Sequence, residues 1–221
     1  MTAQVIPFNP LDKRNLGASV AEALISSEPH PLGDLTPFNG VGIYAIYYRG
    51  PFKQYGLISA QNQNKSNPLV PIYVGKAVPS GARKGAASGD PLMSRALFGR
   101  LKEHAESIVQ AENLDIADFE CRFLVVDEIW IPLGESLMIA KFTPLWNSLI
   151  EGFGNHDPGS GRYQGLMPRW DLVHPGRAWA KKCKERPEKL SDVLRDAESF
   201  LSNIVLPTSP HFLGSSLTQK K

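Results

Sequence analysis

Six side chains in this 221-residue sequence carry groups able to exchange protons or hold ions, and their settings make them worth weighing together. "GVGIYAIYY" at 40–48 and "PIYVGKA" at 71–77 are short strand-like runs, and each sets a tyrosine close to glycine: Tyr44 after Gly42-Ile43, Tyr73 before Val74-Gly75. Where packing is the only task, such runs are written with Val, Ile, Leu and Phe. The phenols therefore either decorate an edge or line one site. In "SRALFGRLKEHAES", Arg100 and His104 stand at i and i+4, on one helical face beside the apolar stripe. Glu135 falls early in "IPLGESLMIA", where the helix macrodipole alone favours an acid. Asn147 follows "TPLW" and could simply begin a turn. A lone helical histidine is usually a surface or core residue. Singly, none of these residues stands out; the combination does.

The elements that must position them follow from periodicity. Residues 1–38 hold one helix-like stretch, "NLGASVAEALISS", ended by "EPHPLGD" with its two prolines. The first strand is followed by "RGPFKQYGLISAQNQNKSNP", which reads mostly as turn chemistry with room for a short strand. "LVPIYVG" is the second strand, and "KAVPSGARKGAASGDP" a surface loop. From Leu92 to Asn113 the apolar residues recur at three- and four-residue steps, predicting a helix. "FECRFLVVDE" is a strand; "IPLGESLMIAKF" starts a helix with proline near its first turn and stops before Pro144. The order strand, strand, helix, strand, helix predicts an α+β fold, a small antiparallel sheet flanked by helices. After Glu151 the text turns rich in glycine, arginine and aromatics, and "KLSDVLRDAESFLSNIV" closes the chain as a polar helix.

Composition bounds the reading. Hydrophobic content of 42% and charged content of 21% suit a soluble globular protein with a real core. Two cysteines, Cys121 and Cys183, form no CxxC pair, which suits a reducing compartment and argues against zinc. Neither a signal-like apolar core nor a membrane-length run is present, so the expected location is the cytoplasm and no membrane partner is expected. The net charge of +2 conceals a pattern. Residues 76–102 carry six Lys/Arg against one acid, and 155–186 seven against three, while 103–151 carry two against ten. Two basic blocks flank an acidic middle.

The two tyrosines, the Arg–His pair, the helix-borne Glu and the Asn after "FTPLW" resemble the GIY-YIG nuclease superfamily, with the tripeptides reading Gly42-Ile43-Tyr44 and Tyr73-Val74-Gly75. The resemblance covers roughly residues 40–150 and agrees with that family's element order. It implies metal-dependent hydrolysis of a DNA phosphodiester, with Tyr44, Tyr73, Arg100, His104, Glu135 and Asn147 as the catalytic set. On that reading Glu135 is the single protein carboxylate for one Mg²⁺, whose remaining ligands are water and phosphate. Arg100 offers its fork of donors to the scissile phosphate. Tyr44 takes a proton from the attacking water, His104 takes the phenolic proton, Tyr73 orients the water or phosphate, and Asn147 braces the site; which tyrosine faces the water stays open. Gly42 and Gly75 would let the phosphate backbone approach the strands. A nucleotide-binding Walker loop at Gly75-Lys76 fails, because Ala77 stands where Ser or Thr is required.

The segment after Gly152 resembles the tail of type II restriction endonucleases of this class, some of which cut the palindrome CCGCGG. The chain then divides into an N-terminal extension (1–38), the nuclease core (39–151) and a DNA-recognition segment with its closing helix (152–221), packed as one unit. Expected DNA contacts are Lys76, Arg83, Lys84 and Arg95 from the first basic block, and Asn155, His156, Arg162, Gln164, Arg169 and Arg177 from the second. One catalytic set per chain and a palindromic duplex point to a homodimer on DNA. The surfaces open to it are 1–38 and the stripe Leu190, Val193, Leu194, Leu201 and Ile204, although packing on the chain's own core is the fate expected for that stripe. The alternatives are a structure-specific repair or recombination nuclease and a non-cleaving DNA-binding protein on the same fold.

Overall fold

The run Gly42–Tyr48 is buried at all of its positions, and a strand of that kind needs neighbours at both edges and cover on both faces. The computed structural model, which describes residues 9, 11–63, 69–78 and 93–204, supplies both. This strand, β2, pairs antiparallel with β3 (Pro71–Ala77) on one side and β4 (Phe119–Val125) on the other. A two-residue strand β1 (His30–Pro31) adds beyond β4, so the sheet order is β1-β4-β2-β3 and β3 is an edge. The protein is α+β, an antiparallel sheet flanked by helices.

Alternation along β2 divides the interior in two. Ile43, Ala45 and Tyr47 face a layer built from α1 (Lys13–Ser26) and α4 (Ile131–Phe142), with Ala21, Leu24, Ile131 and Met138. Tyr44, Ile46 and Tyr48 face the larger layer. It holds α2 (Gly56–Gln63), α3 (Ala96–Gln110), α5 (Leu145–Ser148), α6 (Arg169–Val173) and α7 (Leu190–Asn203). Trp146, Phe153, Trp170, Val193 and Leu201 share one cluster with the sheet, so the segment after Glu151 is built into the main core.

Several expectations need correction. The stretch after β2 is not mainly turn: Lys53–Tyr55 makes a 3₁₀ turn and Gly56–Gln63 an α-helix. Its helical signal is only eight residues long, and tertiary contacts decide it: Tyr55 and Ile58 are buried. Buried Asn62 also binds the backbone of Tyr48, Leu69 and Val70. Strand β1 arises inside the proline-marked stop "EPHPLGD", where His30 pairs opposite Cys121. The apolar stripe of the closing helix, by contrast, packs mostly on the chain's own core as expected, Val193, Ala197 and Leu201 being buried and Leu190 exposed. Among the described residues no helix is long and apolar enough to cross a membrane.

Candidate active site

Edge strand β3 is where the two layers meet, and five of the six expected residues gather at it from four elements, β2, β3 itself, α3 and α4. Tyr44 lies opposite Gly75 in the β2–β3 register, and the two occupy the same face. Helix α3 crosses that face and brings His104 to Tyr44: the hydroxyl and His104 Nε2 are 2.6 Å apart, buried. Tyr73, half-buried two residues before Gly75, sets its ring near both, at 6.3 Å from the Tyr44 ring and 5.2 Å from the imidazole. Arg100, one turn before His104, is close enough to both phenols to favour their ionised forms. From the opposite layer, α4 carries Glu135; its neighbour Gly134 lets the helix press against Val20 and Ile43, since a Cβ there would lie 2.7 Å from Val20.

The sixth residue, Asn147, works on the strand itself. Its Oδ1 accepts from Val74 N at 2.8 Å and its Nδ2 donates to Val74 O at 2.8 Å. A side-chain amide thus supplies the pair of bonds another strand would have made, and pins the edge beside Tyr73. The chain reaches this position through Thr143, the one described non-glycine residue with positive φ (43°), followed by Pro144. A β-branched residue in that region is an uncommon conformation, held here at the hinge between α4 and α5.

Burial sets the electrostatics. The Tyr44 phenol is pushed well above its ordinary range, first by desolvation and then by Tyr73, with Arg100 acting against both. Burial likewise raises Tyr73, again opposed by Arg100. His104 is held well below the usual imidazole range, by burial and then by the charges of Arg100, His156 and Arg177. A neutral imidazole therefore faces the Tyr44 hydroxyl at ordinary pH.

Both glycines serve close contact within the protein, correcting the expectation that they admit a phosphate. A Cβ at Gly42 would meet Leu124 O at 1.9 Å, and one at Gly75 would lie 2.4 Å from the Tyr44 hydroxyl. Gly75 is what lets the Tyr44 phenol lie directly against the β3 backbone.

Glu135 Oε2 stands 2.6 Å from Lys76 Nζ, with 17% of its side chain exposed. Lys76, expected as a DNA contact, is therefore the partner of the expected metal ligand. Among the described residues no cluster of three or more His, Cys, Asp or Glu could enclose a metal. A single hard carboxylate that already faces a cation fits Mg²⁺, which keeps water and phosphate oxygens for most of its shell.

A groove of about 880 Å³ runs from this edge along α3 to the C-terminal segment, lined by Lys76, Arg100, Glu103, Asn155, His156, Arg162 and Trp179 among others. Arg100 Nη2 donates to Gly154 O at 2.7 Å, and its Nη1 faces Glu103 at 3.2 Å and the exposed His156. Asn155, Arg162 and Gln164 are exposed. Arg95 is exposed at the start of α3, its Nε 3.4 Å from Asn39 Oδ1, away from the groove lining. Arg83 and Lys84 lie outside the described residues.

Two of the expected base readers are tied down. Arg169 pairs with Glu188 and donates to Leu149 O at 3.3 Å. Arg177 is only 2% exposed and bound to Asp171, so it has no reach toward a base edge. Sequence reasoning also missed Phe153, whose ring stacks on the His104 imidazole at 4.5 Å and 17°. Its signal was an aromatic between two glycines in "EGFGN", legible as a turn and not as a cover for the site.

Among curated proteins no match is found. The family model described as the Eco29kI GIY-YIG domain matches residues 36–201, a span that takes in the elements from β2 to α6, most of α7 and all six residues at the edge of β3. The chain belongs to this GIY-YIG family of restriction-type nucleases.

Proposed function

We propose that this nuclease is a Mg²⁺-dependent type II restriction endonuclease, cutting both strands of duplex DNA at a short GC-rich palindrome with a tyrosine-activated water. The observation that carries the reading is the buried 2.6 Å contact between Tyr44 and His104, with His104 held neutral. In the tautomer protonated at Nδ1, Nε2 accepts from the phenol. As water attacks phosphorus its proton goes to the Tyr44 oxygen and the phenolic proton passes to Nε2, while one ester P–O bond breaks and its departing oxygen takes a proton from solvent. The proton moves inward without leaving a bare phenolate in a buried site. On this reading the water approaches the hydroxyl from the side of Tyr73 and Arg100, the groups beside it.

Tyr73, whose hydroxyl lies beside Gly154 at the groove wall, orients the water. Arg100 keeps one arm on Gly154 O and turns the other from Glu103 to a phosphate oxygen, which offers a charged, in-line acceptor. Glu135 is the residue that would hold Mg²⁺, and a bound Mg²⁺ supplies Lewis acidity to the phosphate. Asn147 fixes the β3 backbone under Tyr73. Arg162, Gln164, Asn155 and His156, all exposed along or beside the groove, are the base- and phosphate-contacting set.

Digestion of a plasmid of known sequence, with and without Mg²⁺, tests the reading. Discrete fragments whose sequenced ends share one palindrome are expected, CCGCGG being the first to try. Cleavage confined to branched DNA would move the protein to the repair nucleases, and binding without cleavage would remove the catalytic reading.

A further inference from the structure

The buried arginine that reads no base has another task. All five N–H groups of the Arg177 guanidinium have acceptors. Nε and Nη2 bind the two oxygens of Asp171 at 2.7 and 2.5 Å. Nη1 donates to Phe153 O and Asn155 O, both at 3.0 Å, and Nη2 also to Gly152 O at 2.9 Å. The rings of Trp170 and Trp179 stand at 4.5 and 4.8 Å from its central carbon. A planar fork satisfied at every donor and flanked by two indoles has one position. Three of its acceptors are consecutive or near-consecutive carbonyls of a single turn, entered through Gly152 at φ +104°.

The far side of that turn is the catalytic edge. Phe153 lies flat on the His104 imidazole and edge-on to the Tyr73 ring at 5.0 Å. The Gly154 carbonyl holds Arg100, and a Cβ on Gly154 would come within 2.6 Å of the Tyr73 hydroxyl. One turn thus touches three of the proposed reagents, and one side chain holds the turn.

We propose that Arg177 is a positioning residue for strand cleavage: through the 152–155 turn it sets Phe153 on His104 and the Gly154 carbonyl on Arg100. The proposal rests on the nuclease reading above. The Asp171–Arg177 pair then links the C-terminal segment to the chemistry, so that the segment helps build the catalytic geometry. The Arg177 charge also weakens the proton affinity of His104. Displacing a reacting group by about 1 Å costs on the order of 10²-fold in rate, so a loosened turn acts on the chemical step before it acts on binding.

The test is Arg177→Lys, which keeps the charge toward Asp171 but cannot serve five acceptors. Three quantities are compared with the parent: single-turnover cleavage, DNA affinity in Ca²⁺, and the His104 imidazole resonance, assigned by loss in His104→Gln and displaced by the stacked Phe153 ring. The expected result, measured well below the melting temperature, has three parts. Cleavage slows by about 10- to 100-fold, affinity stays within about threefold, and the His104 resonance moves toward that of a free imidazole. A folded variant in which either the rate or the resonance stays at the parent value overturns the proposal. If Arg177→Lys fails to fold, Phe153→Leu carries the test, because Arg177 binds backbone carbonyls and keeps them. A parent-like rate in that variant overturns the proposal and a comparable loss supports it. Should the parent protein cut no DNA, the nuclease reading fails, while the resonance still reports whether Arg177 sets the stack.

Discussion

Tyr44 and His104 share a buried hydrogen bond of 2.6 Å, and the same distance recurs between Tyr55 and His174 elsewhere in the core. The second pair is closed. His174 Nδ1 meets Asn113 Oδ1 at 2.8 Å and the Tyr55 oxygen accepts from Trp146 Nε1 at 3.1 Å, so every site is satisfied by protein. The first pair instead adjoins Tyr73 and Arg100, two more of the candidate reagents. The two pairs therefore predict opposite phenotypes. Tyr44→Phe should lower single-turnover cleavage by ~10²–10⁴-fold with DNA affinity nearly unchanged. Tyr55→Phe should leave cleavage alone and destabilise the fold by about 1–3 kcal/mol, through the stranded His174 and Trp146 nitrogens. Rate measurements alongside thermal melts check both.

The histidines also set a pH dependence of stability. Burial holds His174 down to about 3, against 6.5 in the unfolded chain, and His104 is lowered as well. Below pH 6.5 the unfolded chain takes up protons that the folded one refuses. Stability should therefore fall as pH drops from 6.5 toward 3, by at most about 1.4 kcal/mol per pH unit for each histidine. Denaturant melts between pH 7 and pH 4 should show this slope, and His174→Gln should flatten it. An unchanged slope in that variant would argue that His174 titrates normally.

Glu135→Ala is expected to abolish Mg²⁺-dependent cleavage and to leave DNA binding near normal or tighter, since a negative charge is removed from the phosphate path. Freed from its 2.6 Å partner, Lys76 then becomes available to DNA. Robust cutting by the variant in Mg²⁺ would take Glu135 out of the mechanism. Filter-binding and digestion assays run side by side separate the two effects.

Base readers and internal ties should now separate by mutation. Arg162→Ala and Gln164→Ala should each cost ~1–3 kcal/mol of binding selectively at the cognate site. Arg169→Ala loses its pair with Glu188 and its bond to Leu149 O, so its effect should appear in the melt first and in discrimination little. Affinities for cognate and random duplexes, measured at one salt concentration, check the division. Equal loss on both duplexes from Arg162→Ala would show that it contacts phosphate only.

A double-strand break at a palindrome asks for two catalytic sets, and each chain carries one. Sedimentation of the cognate complex in Ca²⁺ should show two chains per duplex. Since the closing helix buries Val193, Ala197 and Leu201 in its own core, charge substitutions on its outer face, at Asp196 for example, should leave that stoichiometry unchanged. One chain per duplex at saturation would overturn the symmetric arrangement.

What the sequence determined by itself is the family, through the residues that carry its motif, and most of the order of elements, β1 and α2 excepted. Phenols in strands, an i,i+4 Arg–His pair and a helix-borne acid are properties of types and spacings, and local periodicity places them on their elements. Helix α4 was legible to the residue because proline opens it and proline follows its end. Partnership was not legible. The run "WDLVHPGRAWA" contains two tryptophans, an aspartate, a histidine and an arginine that read equally well as a DNA surface or as internal staples. Only the fold shows Asp171, His174 and Arg177 turned inward. The reason is physical: whether a polar side chain faces water or another chain segment depends on which distant backbone carbonyls and rings surround it. Arg177 finds its carbonyl acceptors 22 to 25 residues away, Tyr55 finds His174 119 residues away, and Lys76 finds Glu135 at 59. Periods of 2 and 3.6 residues carry no information at those separations. Tertiary structure alone decided which charges remain free for DNA and which hold the site together.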